Sequence, residues 1–294
     1  MKLLIIGDTH IDEQSINELN QILQKDILKL DADECIQLGD FFDSSNPTPK
    51  ELEFGSYFAF ELKKRYKNVT ILAGTGRHSS FGGVSITEYL KYIGIKPVGI
   101  EYELNRDNKK LLFGHWMTNK SLYEYGSYKH TVTELKQKYD IVVLGHLHLK
   151  QDIIKNRLFH LGSVNWKGWN EVIDTYKRLA IIDNGKVKFI KIKNAIPMKD
   201  VNSSQELEKQ PKGIKIRLII NNIQQYLDYS EHFSKWKKDY IFTYILRTLD
   251  EAKVEETSNL ITTQKEFAKN WLKRIKEKEI KNLLIKVFEK ENLI

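Results

Sequence analysis

The hydrophobic positions of this chain change period again and again, and each change marks an element. Leu3 to Ile6 form an apolar run that stops at Gly7-Asp8 and reads as a first, central strand over residues 2–6. Residues 15–30 place Ile16, Leu19, Ile22, Leu23, Ile27 and Leu30 at helical spacing. A second short strand over 34–38 stops at Gly39-Asp40. A helix over 48–66 has Pro49 in its first turn, where the absent N–H has no partner to lose. A third strand over 69–72 stops at Gly74, and a short helix over 85–93 closes on Gly94. Further strands are predicted over 110–113, ending at Gly114-His115, over 140–144, ending at Gly145-His146, and over 157–161. Strands over 179–183 and 186–193 flank Asn184-Gly185, a dipeptide that favours a two-residue hairpin turn.

This alternation predicts an α/β fold, a layered sandwich over residues 1–200. The polar stretch 202–213, with Ser203, Ser204, Pro211 and Gly213, reads as a linker. A strand over 214–220, a helix over 225–237 and a strand over 240–249 then predict a small β-α-β module within residues 211–250. A helical tail over 251–294 follows, with Ile261, Phe267, Trp271 and Ile275 among its apolar positions. No apolar run is long enough to cross a bilayer, and the opening residues make a poor signal peptide. The single cysteine, Cys35, cannot form an internal disulfide; a core position and a reducing cytoplasm are the expectations. The formal net charge of +8 fits a polyanionic partner such as nucleic acid, and equally a solvated surface of interleaved Lys and Glu.

The candidate chemistry sits where the strands end. Asp8 and His10, Asp40, His78, His115, then His146 and His148 follow predicted strand ends, most of them just after a glycine. Glycine lets the chain turn sharply, so the next side chain points into a cleft at the carboxyl edge of the sheet. Carboxylates mixed with neutral imidazoles suit manganese, iron or zinc. Two such ions can clamp a phosphate between them. Taken singly, Asp-x-His or Gly-Asp is an ordinary turn; it is the joint order that points to a dinuclear centre.

Asp8-Thr9-His10, Gly39-Asp40, His78, Gly114-His115 and Gly145-His146-Leu147-His148 resemble the motif series of the calcineurin-like metallophosphoesterases. Within that superfamily the chain is most similar to the SbcD-type DNA repair nuclease subunit. Gly39-Asp40-Phe41-Phe42-Asp43 and Leu161-Gly162-Ser163 carry this narrower likeness, together with the β-α-β module and the helical tail. The resemblance implies a metallophosphoesterase sandwich with a DNA-binding cap and a tail that binds a coiled-coil ATPase of the SbcC type. It implies two divalent ions, usually Mn2+. Asp8, His10 and His148 would hold one, His115 and His146 the other, and Asp40 would bridge. His78 would sit beside the scissile phosphate. The implied reaction is exonuclease and endonuclease cleavage of DNA in repair or phage DNA metabolism, by a homodimer in the cytoplasm of a bacterial or phage-infected cell. A small-molecule phosphodiesterase or phosphatase, and a DNA-binding subunit with a crippled metal site, stand as the alternatives.

One position departs from the family pattern. The third motif ordinarily holds an Asn that ligates the second metal, and here the chain reads Gly74-Thr75-Gly76-Arg77-His78. Arg stays protonated and offers no lone pair. Thr75 or water could fill the gap, or Arg77 could grip the phosphate and partly replace the cation. Aromatic residues also gather near the last motifs: Trp116, Tyr123, Tyr125, Tyr128, Trp166 and Trp169. Trp166 and Trp169, with Lys167 between them, are candidate stacking platforms for unpaired bases, and packing is the ordinary alternative. Lys235, Lys237 and Lys238 on the small module are candidate phosphate contacts, or a solvated helix end.

Overall fold

The computed structural model describes residues 2–78, 80–81, 84–122, 128–246, 282 and 285–286. Two compact units divide the chain, Met1–Pro197 and Met198–Ile294. The first unit runs β1 (Leu3–Ile6), α1 (Ile16–Ile22), β2 (Glu34–Gln37), α2 (Pro49–Arg65) and β3 (Asn68–Leu72). A small hairpin follows, β4 (Ser80–Phe81) and β5 (Val84–Ser85), then β6 (Lys96–Val98), β7 (Glu101–Arg106), β8 (Lys109–Gly114), α3 (Val132–Lys138) and β9 (Ile141–Leu144). The unit ends with β10 (Gln151–Ile154), β11 (Leu158–His160), β12 (Arg178–Asp183) and β13 (Lys186–Lys191). One sheet has the order β13-β12-β1-β2-β3-β6 and the other β10-β11-β9-β8-β7. β1, β2, β3 and β6 pair in parallel, as do β8, β9 and β11.

Leu3, Ile5, Ile36 and Leu38 of the first sheet meet Leu111, Phe113, Ile141, Val143 and Phe159 of the second in one buried cluster. The two sheets therefore pack face to face as a sandwich. Leu4 and Ile6, which alternate with Leu3 and Ile5, are buried as well, and so are Leu19, Ile22, Phe58 and Leu62 of the helices. α2 lies against β3 and α1. Cover on both faces is why β1 is apolar at every position instead of alternating. The layered α/β expectation is borne out.

Local signals act where they were read. Thr48 accepts from the Glu51 N–H at 3.3 Å while Glu51 accepts from the Thr48 N–H at 2.7 Å, a reciprocal cap on α2. Asn184 and Gly185 both take positive φ, 48° and 70°, as the tight turn between β12 and β13 requires. The helix expected over 15–30 is α1 followed by one wide turn over Leu23–Ile27, in which the Leu28 N–H bonds Leu23 O at 2.9 Å. The short helix expected over 85–93 is a 3-10 turn over Glu88–Ile93, closed by Gly94 at φ 82°.

The second unit holds β14 (Met198–Val201), α4 (Ser204–Glu208), β15 (Lys215–Ile220), α5 (Ile223–Ser230), α6 (Phe233–Asp239) and β16 (Ile241–Leu246). Its three strands are parallel in the order β14-β15-β16. The stretch 202–213 is not a linker. Ser203 caps α4 by accepting from the Glu206 N–H at 3.1 Å, and Leu207 is buried with Ile216, Leu218, Tyr226 and Trp236. One apolar anchor and one cap suffice to fold a polar stretch into a core. The helix expected over 225–237 is divided into α5 and α6. The tail expected over 251–294 lies outside the described residues, apart from three positions. Among the described residues no helix is long and apolar enough to cross a membrane.

Candidate metal centre

All the predicted ligands lie in the first unit, at the carboxyl ends of its strands. Asp8 and His10 follow β1, Asp40 follows β2, His115 follows β8, and His146 and His148 follow β9. The loops after β1 and β2 are laced together: the His10 N–H donates to Asp40 O at 2.9 Å, and Thr9 Oγ1 donates to Phe41 O at 2.8 Å. His10, Asp40 and His146 sit at φ 43°, 43° and 70°. Left-handed backbone at a residue other than glycine costs about 1–2 kcal/mol, and it persists where the surroundings fix the side chain's direction. Gly74 and Gly145 let the walls close in. A Cβ at Gly74 would stand 1.9 Å from Asp40 Oδ1, and one at Gly145 would stand 2.6 Å from Asp8 Oδ1.

Three groups of ligand atoms converge, each with its atoms within 4.8 Å of one another: Asp8, His10 and His148; Asp40, His115 and His146; and Asp40 with His10 and His78. Asp40 is shared by the last two groups, and His10 links the first to the third. His115 Nε2 lies 3.1 Å from Asp40 Oδ2, and His10 Nε2 lies 3.6 Å from the same oxygen. The structure thus brings together all six predicted metal ligands and His78.

Hydrogen bonds behind the imidazoles set their direction. His115 Nδ1 lies 2.7 Å from Leu38 O and His78 Nδ1 meets Asp43 O. A carbonyl can only accept, so Nδ1 carries the proton in each and Nε2 is left to face the cleft. His148 Nδ1 is 3.0 Å from Glu171 Oε1, and His146 Nδ1 is 3.0 Å from Thr75 Oγ1. Thr75 also donates its N–H to Asp40 Oδ1 at 3.1 Å. Its hydroxyl is therefore what the chain sets beside His146, next to Asp40. The Arg77 side chain lies outside the described residues.

The electrostatics fit a cation. Both Asp8 oxygens, both His10 nitrogens and His115 Nε2 are buried without a hydrogen bond of acceptable geometry among the described residues. Burial of so many acceptors around one point is costly unless something cationic meets them. Burial pushes the Asp8 carboxyl up, against the pull of His115. Burial also opposes ionised Asp40, but the imidazoles of His115, His10 and His78 outweigh it and hold that carboxyl well below the usual range. Burial brings His10 and His146 down to about 4, so both are neutral near pH 7, the form that binds metal. At His115 burial is outweighed by Asp8 and Asp40, which raise it to about 9, so an ion there must displace a proton. The donor set fits divalent ions of the manganese, iron or zinc type.

Several supporting residues escaped the sequence reading. Glu171 and Lys177 are buried at 0% and 1% exposure, with Lys177 Nζ 2.6 Å from Glu171 Oε2. Burial works against ionised Glu171, yet His148 and Lys177 hold it down at about 2. Asp43 Oδ1 lies 3.2 Å from His10 Nδ1. His160 is buried behind the centre, its Nδ1 donating to Gly145 O at 3.0 Å and its Nε2 accepting from Ser121 Oγ at 2.8 Å. No spacing in the sequence signals Glu171, Lys177 or His160, which act through contacts made only in the folded chain.

The expected nucleic-acid contacts fare unevenly. Trp166 is corrected: it is buried, its ring covered within the fold with Lys177 Nζ 5.4 Å from its centroid, so it offers no platform to a base. Lys167 is turned inward as well, donating to His10 O at 2.8 Å and bonding Asp12. Trp169 is half-buried at the start of a 3-10 turn. Trp116 is buried, Tyr128 is exposed, and Tyr123 and Tyr125 lie outside the described residues. Lys235, Lys237 and Lys238 are exposed on α6.

Comparison with curated proteins finds no match. Among solved structures, the chain is similar to Vps29 of Entamoeba histolytica complexed with zinc, at 14% identity and TM-score 0.37, covering 65% of this chain and 98% of that one. It is similar to a protein of unknown function from Aquifex aeolicus, at 20% identity and TM-score 0.33, covering 50% and 79%. It is also similar to the nuclease MPE of Pseudomonas putida, at 15% identity and TM-score 0.31, covering 64% and 87%. Residues 1–74, the stretch that carries Asp8, His10 and Asp40, match the family model of the calcineurin-like phosphoesterases.

Proposed function

We propose that this chain is a metal-dependent phosphodiesterase that cleaves DNA, the nuclease subunit of an assembly with a coiled-coil ATPase of the SbcC type. The observation that carries the reading is the sharing of side chains between the three ligand groups: Asp40 and His10 join them into one continuous centre. Asp8, His10 and His148 would hold one divalent ion, and Asp40, His115 and His146 a second, with Mn2+ the expected metal. Such ions supply Lewis acidity and offset the charge that builds on a phosphoryl group.

The chain's own residues do the rest. Asp40, fixed by the Thr75 N–H, presents its other oxygen to His10 and His115. His78, with Nδ1 tied to Asp43 O, presents Nε2 to the cleft; with a second proton there, as the imidazolium, it can donate to a phosphate oxygen and hand that proton to the departing one. Arg77, next to it in sequence, is proposed to grip the phosphate. Net charge of +8 and the lysines exposed on α6 support DNA as the polyanion. The ATPase partner and a homodimer belong to the same proposal.

The test is cleavage of labelled single- and double-stranded DNA with Mn2+, beside bis(p-nitrophenyl) phosphate. DNA cleavage that stops with EDTA and falls at least about 100-fold in His78→Ala is expected. Cleavage of the small diester alone would remove DNA as the substrate. Inactivity on both, with metal bound, would leave a DNA-binding subunit and overturn catalysis.

A further inference from the structure

Lys177 is almost wholly buried, which is costly for an ammonium, yet four acceptors surround it. Its Nζ lies 2.6 Å from Glu171 Oε2, 3.0 Å from His148 O, 3.0 Å from Ser163 Oγ and 3.1 Å from Asp174 Oδ2. Glu171 is as crowded with donors. Its Oε1 accepts from the Gly168 N–H at 2.9 Å and the Lys167 N–H at 3.2 Å, and lies 3.0 Å from His148 Nδ1. Ser163 Oγ stands 3.0 Å from Oε2. His148 is thus held twice, by its backbone carbonyl through Lys177 and by its ring through Glu171.

A buried ion pair is seldom the cheapest way to stabilise a core, since apolar residues of similar volume do as well or better. A pair kept at this cost, with both partners directed at one imidazole, points to a task at that imidazole. An ionised carboxylate can only accept, so the ring nitrogen facing Glu171 carries the proton. Nε2 is then left with its lone pair for the Asp8–His10–His148 group. The two backbone N–H bonds hold the carboxylate independently of His148, and Lys177 keeps its charge in place.

We infer that Glu171 and Lys177 form a buried charged clamp that sets the tautomer and direction of His148 and so raises divalent-ion affinity at the Asp8–His10–His148 end of the centre. The inference rests on the metal-centre reading above. Glu171 and Lys177 are positioning residues, since they act through His148.

The experiment uses the full chain, with thermal melts to confirm folding. Long-range 1H–15N spectra of the metal-free protein report the His148 tautomer, and calorimetric titration with Mn2+ reports affinity at each site. Recorded at alkaline pH, where the ring is neutral, wild type should show one tautomer with the proton on Nδ1. Glu171→Ala should lose that single tautomer and bind Mn2+ about 10–100-fold more weakly at this end, with the other end unchanged. Glu171→Gln, which keeps an acceptor without the charge, should fall between the two and carries the test if the alanine variant does not fold. Asp174→Asn, which touches Lys177 but not His148, should lower the melting temperature and leave affinity intact. Wild-type affinity in a folded Glu171→Gln or Glu171→Ala overturns the clamp, as does an equal loss in Asp174→Asn. If wild type binds no Mn2+, it is the metal-centre reading that fails. The tautomer comparison between wild type and Glu171→Ala then still judges the clamp.

Discussion

At the site the chain accepts strain and crowding at single residues so that several ligands can share a small volume. Gly74 shows the margin. A methyl there would stand 1.9 Å from Asp40 Oδ1, and the Thr75 N–H that fixes this carboxylate comes from the next residue. Gly74→Ala should therefore displace Asp40, destabilise the fold by about 1–3 kcal/mol and lower Mn2+ affinity at least about 10-fold, measured by urea unfolding and calorimetry. His160 gives a prediction in pH. Burial brings it down to about 4 from an ordinary 6.5, so between those values the unfolded chain takes up a proton that the folded chain refuses. Its contribution is complete above pH 6.5 and is lost as pH falls toward 4, on the order of 2 kcal/mol by pH 5. His10 and His146 act in the same direction in metal-free protein. Urea unfolding in EDTA at pH 7.5 and pH 5 should show His160→Gln losing less on acidification than wild type; an equal loss would exclude His160 as a contributor. The seven principal residues of the centre were legible because they follow strand ends in an order that few other arrangements share. Glu171 and Lys177 were not, because a loop contact leaves no period. Trp166 misled because an aromatic side chain near a cleft does not reveal which of its faces is already covered.

At the scale of elements, what could be read is what local chemistry determines. β1, β2, β3, β8 and β9 announce themselves by apolar runs that stop at glycine, and α2 by the cap and the proline that start it. β7 is a half-buried edge strand of mostly polar residues, and β6 has three residues with Pro97 at its centre, so neither carries a periodic signal. The wide turn after α1 is likewise silent, since five-residue hydrogen bonds leave the apolar spacing almost as an α-helix would. α4 was hidden for a different reason: its fold is decided by one residue, Leu207, joining the core formed with Ile216, Leu218, Tyr226 and Trp236, while composition reads the stretch as a polar loop. Where local chemistry does decide, removing it should have a local price. Thr48→Ala deletes the side-chain acceptor of the α2 cap while leaving Glu51 in place. It should cost about 1 kcal/mol, seen as a lower urea midpoint with an unchanged slope. No change in the midpoint would mean that tertiary packing alone holds the start of α2.

For the whole molecule the question raised by the proposed DNA binding is which lysines would meet the phosphates, and the two units give opposite answers. Lys167, close to the metal ligands, has its amine on His10 O and on Asp12, so it is committed to the fold before any nucleic acid arrives. Lys235, Lys237 and Lys238 are exposed on α6, and among the described residues only Lys235 has a carboxylate within 4 Å, Glu208 at 3.5 Å. Each lysine that neutralises a phosphate releases condensed counterions, which steepens the fall of log affinity with log salt by about 0.9 on duplex DNA. Replacing all three by Gln should therefore flatten that slope by about 2–3 units, while the metal affinity of the first unit stays as it was. Lys167→Gln should behave the other way, disturbing the His10 loop and hence the metal affinity but leaving the slope within error of wild type. Fluorescence anisotropy of a labelled duplex between 50 and 300 mM KCl, without divalent ions so that no cleavage intervenes, measures both. A triple variant with the wild-type slope would take the second unit out of the DNA interface and leave the charge of α6 as an ordinary solvated surface.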